Sequence, residues 1–230
     1  QAALGFGAGL ATIVETETGA AARFKLPPDL MIAQSFPKDT TAILLGSGFG
    51  RDRTEAFQNL CAKLEAYKGA GIVLDADSFY YGDIGKLLDV LSKRSTRVIL
   101  TPHPKEFQSL LKLCALGDYT IGELADDRIE IVKKFSARFP HSVLVLKGAN
   151  TVIASERGVF VSVEGNQSLA KAGSGDVLAG LVCALLAQQY DAEDAAVTAV
   201  LAHGIASQRF ARAYNLTPPK LIDAVGNLMN

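Results

Sequence analysis

The stretch 166–180, NQSLAKAGSGDVLAG, changes character halfway. Val177, Leu178, Leu181, Val182, Leu185 and Leu186 recur at helical spacing, so a helix begins near Asp176. An acid in a first turn stabilises a helix by about 0.3–1 kcal/mol and needs no further purpose. The glycines do not follow from that account, because a good cap is Ser or Asp with helix formers behind it. Gly173 and Gly175, on either side of Ser174, leave free N–H groups at a positive helix end, which is an anion site. Asp176 then faces the same anion. That pairing is awkward unless the acid takes a proton from something attacking the anion. Amides that neutralise a transferred group, beside a carboxylate that activates a hydroxyl, are the parts of phosphoryl transfer.

Four other stretches carry unusual residues. GSGFG, Gly46 to Gly50, could bring a backbone close to an anion, but Arg51 stands where a dinucleotide fingerprint has its third glycine. A plain tight turn explains it as well. Asp75 and Asp77 in LDADS, at strand spacing, point to opposite sides unless the strand has already ended. They suit metal, ribose or a helix start. TPHPKEF puts two prolines around His103, which removes two backbone donors, stiffens the loop and favours a binding role. Glu106 follows in the first turn of the next helix, where complementing the helix dipole is sufficient reason for it. LKGANT ends an apolar run with Lys147, a residue that suits a phosphate at a cleft mouth or simply snorkels to solvent.

These loops need strands and helices to hold them. Apolar runs at 10–14, 41–45, 72–74, 98–101 and 143–146 read as strands, and 54–67, 84–91, 105–113 and 121–139 as amphipathic helices between them. Such alternation predicts a mostly parallel sheet covered on both faces. Residues 151–154 and 159–163 flank SERG as a hairpin, hence an antiparallel portion, and helices follow at 177–189, 192–213 and 219–228. In open α/β sheets ligands sit beyond the carboxyl ends of the strands, and four of the special loops fall at such ends. One shared cleft is the expectation. With no linker, repeat or low-complexity tract, residues 1–230 read as one domain.

Composition excludes several classes. The chain has 230 residues, 49% hydrophobic and 20% charged, with a formal net charge of −1 and no long basic run, which argues against nucleic acid as a partner. No apolar segment reaches the roughly 20 residues that span a bilayer. The apolar start, with three glycines by Gly9 and no basic flank, does not read as a signal peptide. Cys61, Cys114 and Cys183 form no CxxC and read as buried thiols in a reducing cytoplasm. His103, His141 and His203 have no zinc-ligand spacing.

Taken in order, LLGSGFG, LDADS, TPHPKE, KGANTVIA and AGSGDVLAG resemble the NAD(P)H-hydrate dehydratases of the ribokinase-like superfamily over nearly the whole chain. The resemblance implies a three-layer α/β/α fold with a mostly parallel central sheet and a C-terminal antiparallel hairpin. It implies repair of the S-form of hydrated NADH or NADPH, driven by ADP or ATP. Asp176 would activate the ring hydroxyl for phosphorylation. Lys147, Gly148, Ala149, Asn150 and Thr151, with Gly173, Ser174 and Gly175, would hold the AMP moiety; Gly48, His103 and Asp176 would contact the hydrated cofactor. Mg²⁺ is expected mostly on the nucleotide phosphates, with Glu106 a secondary contact. A homotetramer is the family's implication for assembly. Lys105 replaces the family's usual glycine, DADSF its DADAL, and Ala172 the first glycine of its G-G-S-G-D. Family members carry a strand and a Gly-Gly-Ser loop upstream of ALGFGAGL, so the chain is expected to begin inside the first helix. A small-alcohol kinase of the superfamily, or a non-catalytic nucleotide-binding protein, remain the alternatives. The kinases typically show TPN where Thr101-Pro102-His103 stands.

Overall fold

The computed structural model describes residues 1–15, 26–94, 96–210 and 215–228. Its main sheet has six strands: β3 (Ala42–Leu45), β4 (Gly71–Leu74), β5 (Val98–Leu100), β6 (Ser142–Leu146), β7 (Val152–Ser155) and β8 (Gly158–Val161). They stand side by side in chain order. The first four are parallel; β7 runs antiparallel to β6, and β8 antiparallel to β7, as the SERG hairpin predicts. Two further strands, β1 (Ala11–Val14) and β2 (Leu30–Ala33), pair in parallel as a sheet of their own. Residues 10–14 therefore form a strand, but with β2, which the sequence reading misses.

Parallel neighbours in chain order need crossovers, and right-handed crossovers that all run one way put every connecting helix on the same face. On that face lie α2 (Thr54–Ala66), α3 (Ile84–Ser92), α4 (Pro104–Leu113) and α6 (Arg128–Arg138), through Phe57, Leu88, Phe107 and Phe135. The strands meet them with Ile72, Leu74, Leu100, Leu144 and Leu146. The alternate residues Val73, Ile99, Val143, Val145 and Ile153 face the other way, as period-two geometry requires. There they meet α7 (Ser174–Ala187), α8 (Ala192–Gln208), α9 (Pro218–Gly226) and the short α1 (Ala2–Gly5). The last residues of the expected helix 192–213, from 211 on, lie outside the described residues.

The expected helix 121–139 is two: α5 (Ile121–Asp126) and α6, broken at Asp127 (φ −105°, ψ 22°). A capping box of Thr120 and Glu123 starts α5, and after Asp127 the chain re-aims so that Ile131, Val132 and Phe135 reach the sheet. Cys61 is buried, whereas Cys114 and Cys183 are only half-buried, and all three are free. Burial above all pushes each thiol up to about 12. No helix among the described residues is long and apolar enough to cross a membrane.

What positions the site is the direction of α7. Leu186, near its end, packs where a Gly71 side chain would begin, at the start of β4. Gly175, near its beginning, stands beside Lys147, just past the end of β6. The helix therefore runs against the parallel strands and brings its positive end to their carboxyl edge.

Candidate functional site

Asp75 follows β4 directly and is only 2% exposed. Lys147 Nζ stands 3.0 Å from its Oδ1, which also accepts a hydrogen bond from Thr101 Oγ1 at 2.7 Å. Ser47 Oγ donates to the other oxygen at 3.2 Å. Three strand ends, those of β3, β5 and β6, thus converge on one carboxylate. The close approach requires glycine at position 46 (φ +116°), where a Cβ would fall 1.9 Å from the Asp75 carbonyl oxygen. Asp77 parts from Asp75, because the strand has ended and residues Ala76–Tyr80 wind into a 3-10 turn. Its carboxylate accepts from Gly50 N–H (2.9 Å) and Arg51 Nε (3.2 Å), so it fastens the GSGFG loop. Gly48, at φ +68°, faces open space in that loop.

His103 and Glu106 cap α4 reciprocally. Glu106 N–H donates to His103 Nδ1 (3.2 Å), and His103 N–H donates to Glu106 Oε2 (2.7 Å). Glu106 Oε1 lies 3.1 Å from His103 Nε2, and Lys147 Nζ stands 3.7 Å from Oε2. Both oxygens of this buried carboxylate are therefore engaged. The stiff TPHP segment also supports its neighbour, since Lys147 N–H donates to the Pro102 carbonyl at 2.9 Å.

At the start of α7, Gly173 takes the left-handed conformation (φ +87°), and a Cβ there would lie 2.6 Å from Pro218 Cγ. Ser174 N–H is not free, since it donates to the Lys171 carbonyl at 3.2 Å; this corrects the simplest picture of an open loop. The first helical bond runs from Val177 N–H to the Gly173 carbonyl, which leaves the Gly175 and Asp176 amides without acceptors among the described residues. A Cβ on Gly175 would stand 3.4 Å from Lys147 Nζ, so glycine lets the ammonium approach the helix end. Asp176 is exposed and makes no side-chain hydrogen bond or ion pair among the described residues.

The structure brings together Lys147, Glu106, His103, Gly175 and Asp176, all expected from sequence, and adds Asp75, Thr101 and Ser47. Gly148, Ala149 and Asn150 form an exposed turn beside them, with Thr151 leading into β7. A groove of about 700 Å³ between α6 and the β7–β8 hairpin, lined by Ile129, Ser136 and Val159, lies away from this centre. His203, which lacks metal-ligand spacing, is a further residue the sequence does not reveal. It stands behind Ser174, and burial holds its imidazole down to about 4 against its Ser174 hydrogen bond, with Lys147 nearby lowering it further.

Two open amides at a helix end, a lysine and a carboxylate unpartnered among the described residues thus stand together at the carboxyl edge of a parallel sheet. A ribokinase-like protein of Enterococcus faecalis shares the fold, with a TM-score of 0.68 and 24% identity over 98% of this chain and 78% of that one. The chain belongs to the NAD(P)H-hydrate dehydratase family, whose profile matches residues 1–226. It is 42% identical over 227 residues to the bifunctional NAD(P)H-hydrate repair enzyme Nnr of Helicobacter pylori, covering 98% of this chain and 45% of that protein. It is 36% identical over 185 residues to the ADP-dependent (S)-NAD(P)H-hydrate dehydratase of Neisseria meningitidis, covering 78% of this chain and 60% of that one. The chain thus spans about half the length of these curated relatives. The ADP/ATP-dependent NAD(P)H-hydrate dehydratase of Bacillus subtilis, co-crystallised with ATP/Mg²⁺, superposes with a TM-score of 0.76 at 27% identity, covering 97% of this chain and 79% of that one.

Proposed function

We propose that the chain converts the S-form of hydrated NADH or NADPH to the normal cofactor while ADP becomes AMP and phosphate. The observation that carries this is the start of α7. Two open amides, the Lys147 ammonium and an unpartnered Asp176 carboxylate meet there, in a chain of the hydrate dehydratase family. Asp176 takes the proton of the ring hydroxyl as its oxygen attacks the β-phosphorus of ADP, and AMP leaves with the bridging oxygen. The ring carbon–oxygen bond then breaks, phosphate departs, and loss of a proton from the neighbouring carbon restores the double bond. The amides and Lys147 neutralise the transferred group.

Lys147 to Thr151, with Gly173 to Gly175, would hold the AMP moiety; Gly48 and the half-exposed His103 would meet the hydrated cofactor, supported by their placement on loops that converge on Asp75. Mg²⁺ belongs to the same proposal and supplies charge neutralisation on the phosphates. Among the described residues no three acids, histidines or cysteines gather as a metal cluster. Glu106 is already engaged by His103 and Lys147, so the residues present fit an ion carried by the nucleotide, with Glu106 reaching it through water. Residues 1–230 act as one domain, supported by two core clusters built on the same strands. A homotetramer in the cytoplasm completes the proposal; exposed Phe160, Val161, Val163, Leu201 and Ile205 offer apolar surface for subunit contacts, and sedimentation tests it.

The test supplies chemically hydrated NADH, ADP and Mg²⁺ and follows the absorbance of reduced nicotinamide. Its return is expected. No return with either ADP or ATP would overturn the proposal, and a stable phosphorylated product would point to a small-alcohol kinase instead.

A further inference from the structure

His203 projects from α8 toward the first turn of α7, where its Nε2 lies 3.0 Å from the Ser174 carbonyl oxygen. A carbonyl only accepts, so the ring carries its proton on Nε2. The residue is 7% exposed. Burying an imidazole at this position costs desolvation that a leucine would not incur. The contact falls on the residue that directly precedes the two open amides, Gly175 and Asp176.

The surrounding contacts leave α8 as the platform for this loop. Asn166 Nδ2 donates to the Ser207 carbonyl at 3.0 Å, and a Cβ on Gly204 would press within 2.9 Å of the Glu164 backbone. Ser174 Oγ donates to the Leu169 carbonyl at 2.5 Å. The segment between Glu164 and Ser174 is thus laid along α8, and His203 fastens its far end.

We propose that His203 is a positioning residue: by holding the Ser174 carbonyl, its Nε2–H fixes the direction in which the Gly175 and Asp176 amides and the Asp176 carboxylate face. What those groups bind rests on the proposed function; the positioning does not.

His203→Leu keeps the volume and removes the donor, while His203→Gln keeps a donor of similar reach. ADP affinity, turnover and the urea midpoint are measured on each. The leucine variant is expected to lose about tenfold in ADP affinity, the worth of one good hydrogen bond, and at least that in turnover, without a matching loss of stability. The glutamine variant is expected to stay within about threefold of the parent. Leucine with parental affinity and turnover, or leucine and glutamine with equal losses, would overturn the assignment. Should His203→Leu not fold, His203→Asn, too short to reach, is compared with glutamine, and equal behaviour again overturns it. If the parent protein binds no ADP, the proposed function fails separately. Amide exchange at Gly175 and Asp176 then decides, with faster exchange expected in the variants that lack the donor and equal exchange counting against the role.

Discussion

An aspartate that only complemented the α7 dipole would tolerate Asn. Asp176→Asn would then cost under about 1 kcal/mol of stability and leave turnover intact. As a base it has no such substitute. We expect turnover to fall at least about a hundredfold, within the range for loss of a general base. ADP affinity should hold or rise, because the amides remain and a negative charge facing the phosphate is gone. Turnover and affinity measured on one folded variant separate the two roles. Asp75, a nearby carboxylate, is a poor substitute base, since Lys147, Thr101 and Ser47 already hold it. Its part could not be read from LDADS, because Lys147 lies 72 positions further along the chain. The open start of α7 was legible because its cause is local: two glycines and an acid at the head of an apolar helix.

The helix starts carry predictions of their own. Gly173→Ala would force a Cβ into the left-handed region and against Pro218 Cγ, 2.6 Å away. We expect a loss of at least about 1 kcal/mol, read as a lower urea midpoint, together with weaker ADP binding as the loop shifts. At the head of α4, Glu106→Gln keeps a side chain that can still accept from His103 N–H but removes the charge near Lys147. The Mg²⁺ concentration for half-maximal activity should rise; an unchanged requirement would leave Glu106 a cap alone. Strands buried on both faces, such as β4 and β6, announce themselves as continuous apolar runs. Strand β2 does not: it is four residues long, with Met31 and Ile32 exposed, and has no unbroken buried run. The break at Asp127 is equally silent, since the apolar period continues across it and only packing on the sheet turns α6 away.

For the whole molecule, acid is the informative stress. His203 falls from its ordinary 6.5 to about 4 in the folded protein, so the unfolded chain takes up the proton first as pH drops. Its contribution is complete above pH 6.5 and drains away as the pH approaches 4. At pH 5 that is one and a half units below the ordinary value, or about 2 kcal/mol. Asp89, held low chiefly by its hydrogen bonds with Arg138, and Glu123, held low by its Thr120 cap, add their losses only at more acid pH. Urea midpoints between pH 7 and pH 5 should fall in the parent and stay flatter in His203→Gln; parallel curves would assign the loss elsewhere. The layered plan of the molecule was legible from alternating strands and helices, and the sheet bears it out. The separate β1–β2 pair was not, because nothing in an apolar run says which neighbour it will choose.

The order of synthesis also matters for a site built this way. Strands β3 to β6 and the helices on one face are complete by Leu146, and each neighbour is also the next in sequence, so that half of the sheet can assemble as it is made. The loop at the head of α7 cannot. Its glycine turn rests on Pro218, and Lys171 reaches the Leu216 carbonyl, 45 positions further along the chain. A ribosome-bound chain halted before α9 would therefore display a nearly finished sheet with an unformed loop at the head of α7. Under the proposed function, nucleotide capture would switch on only once α9 has been made, and a truncation at residue 210 should fold much of the sheet yet retain no ADP.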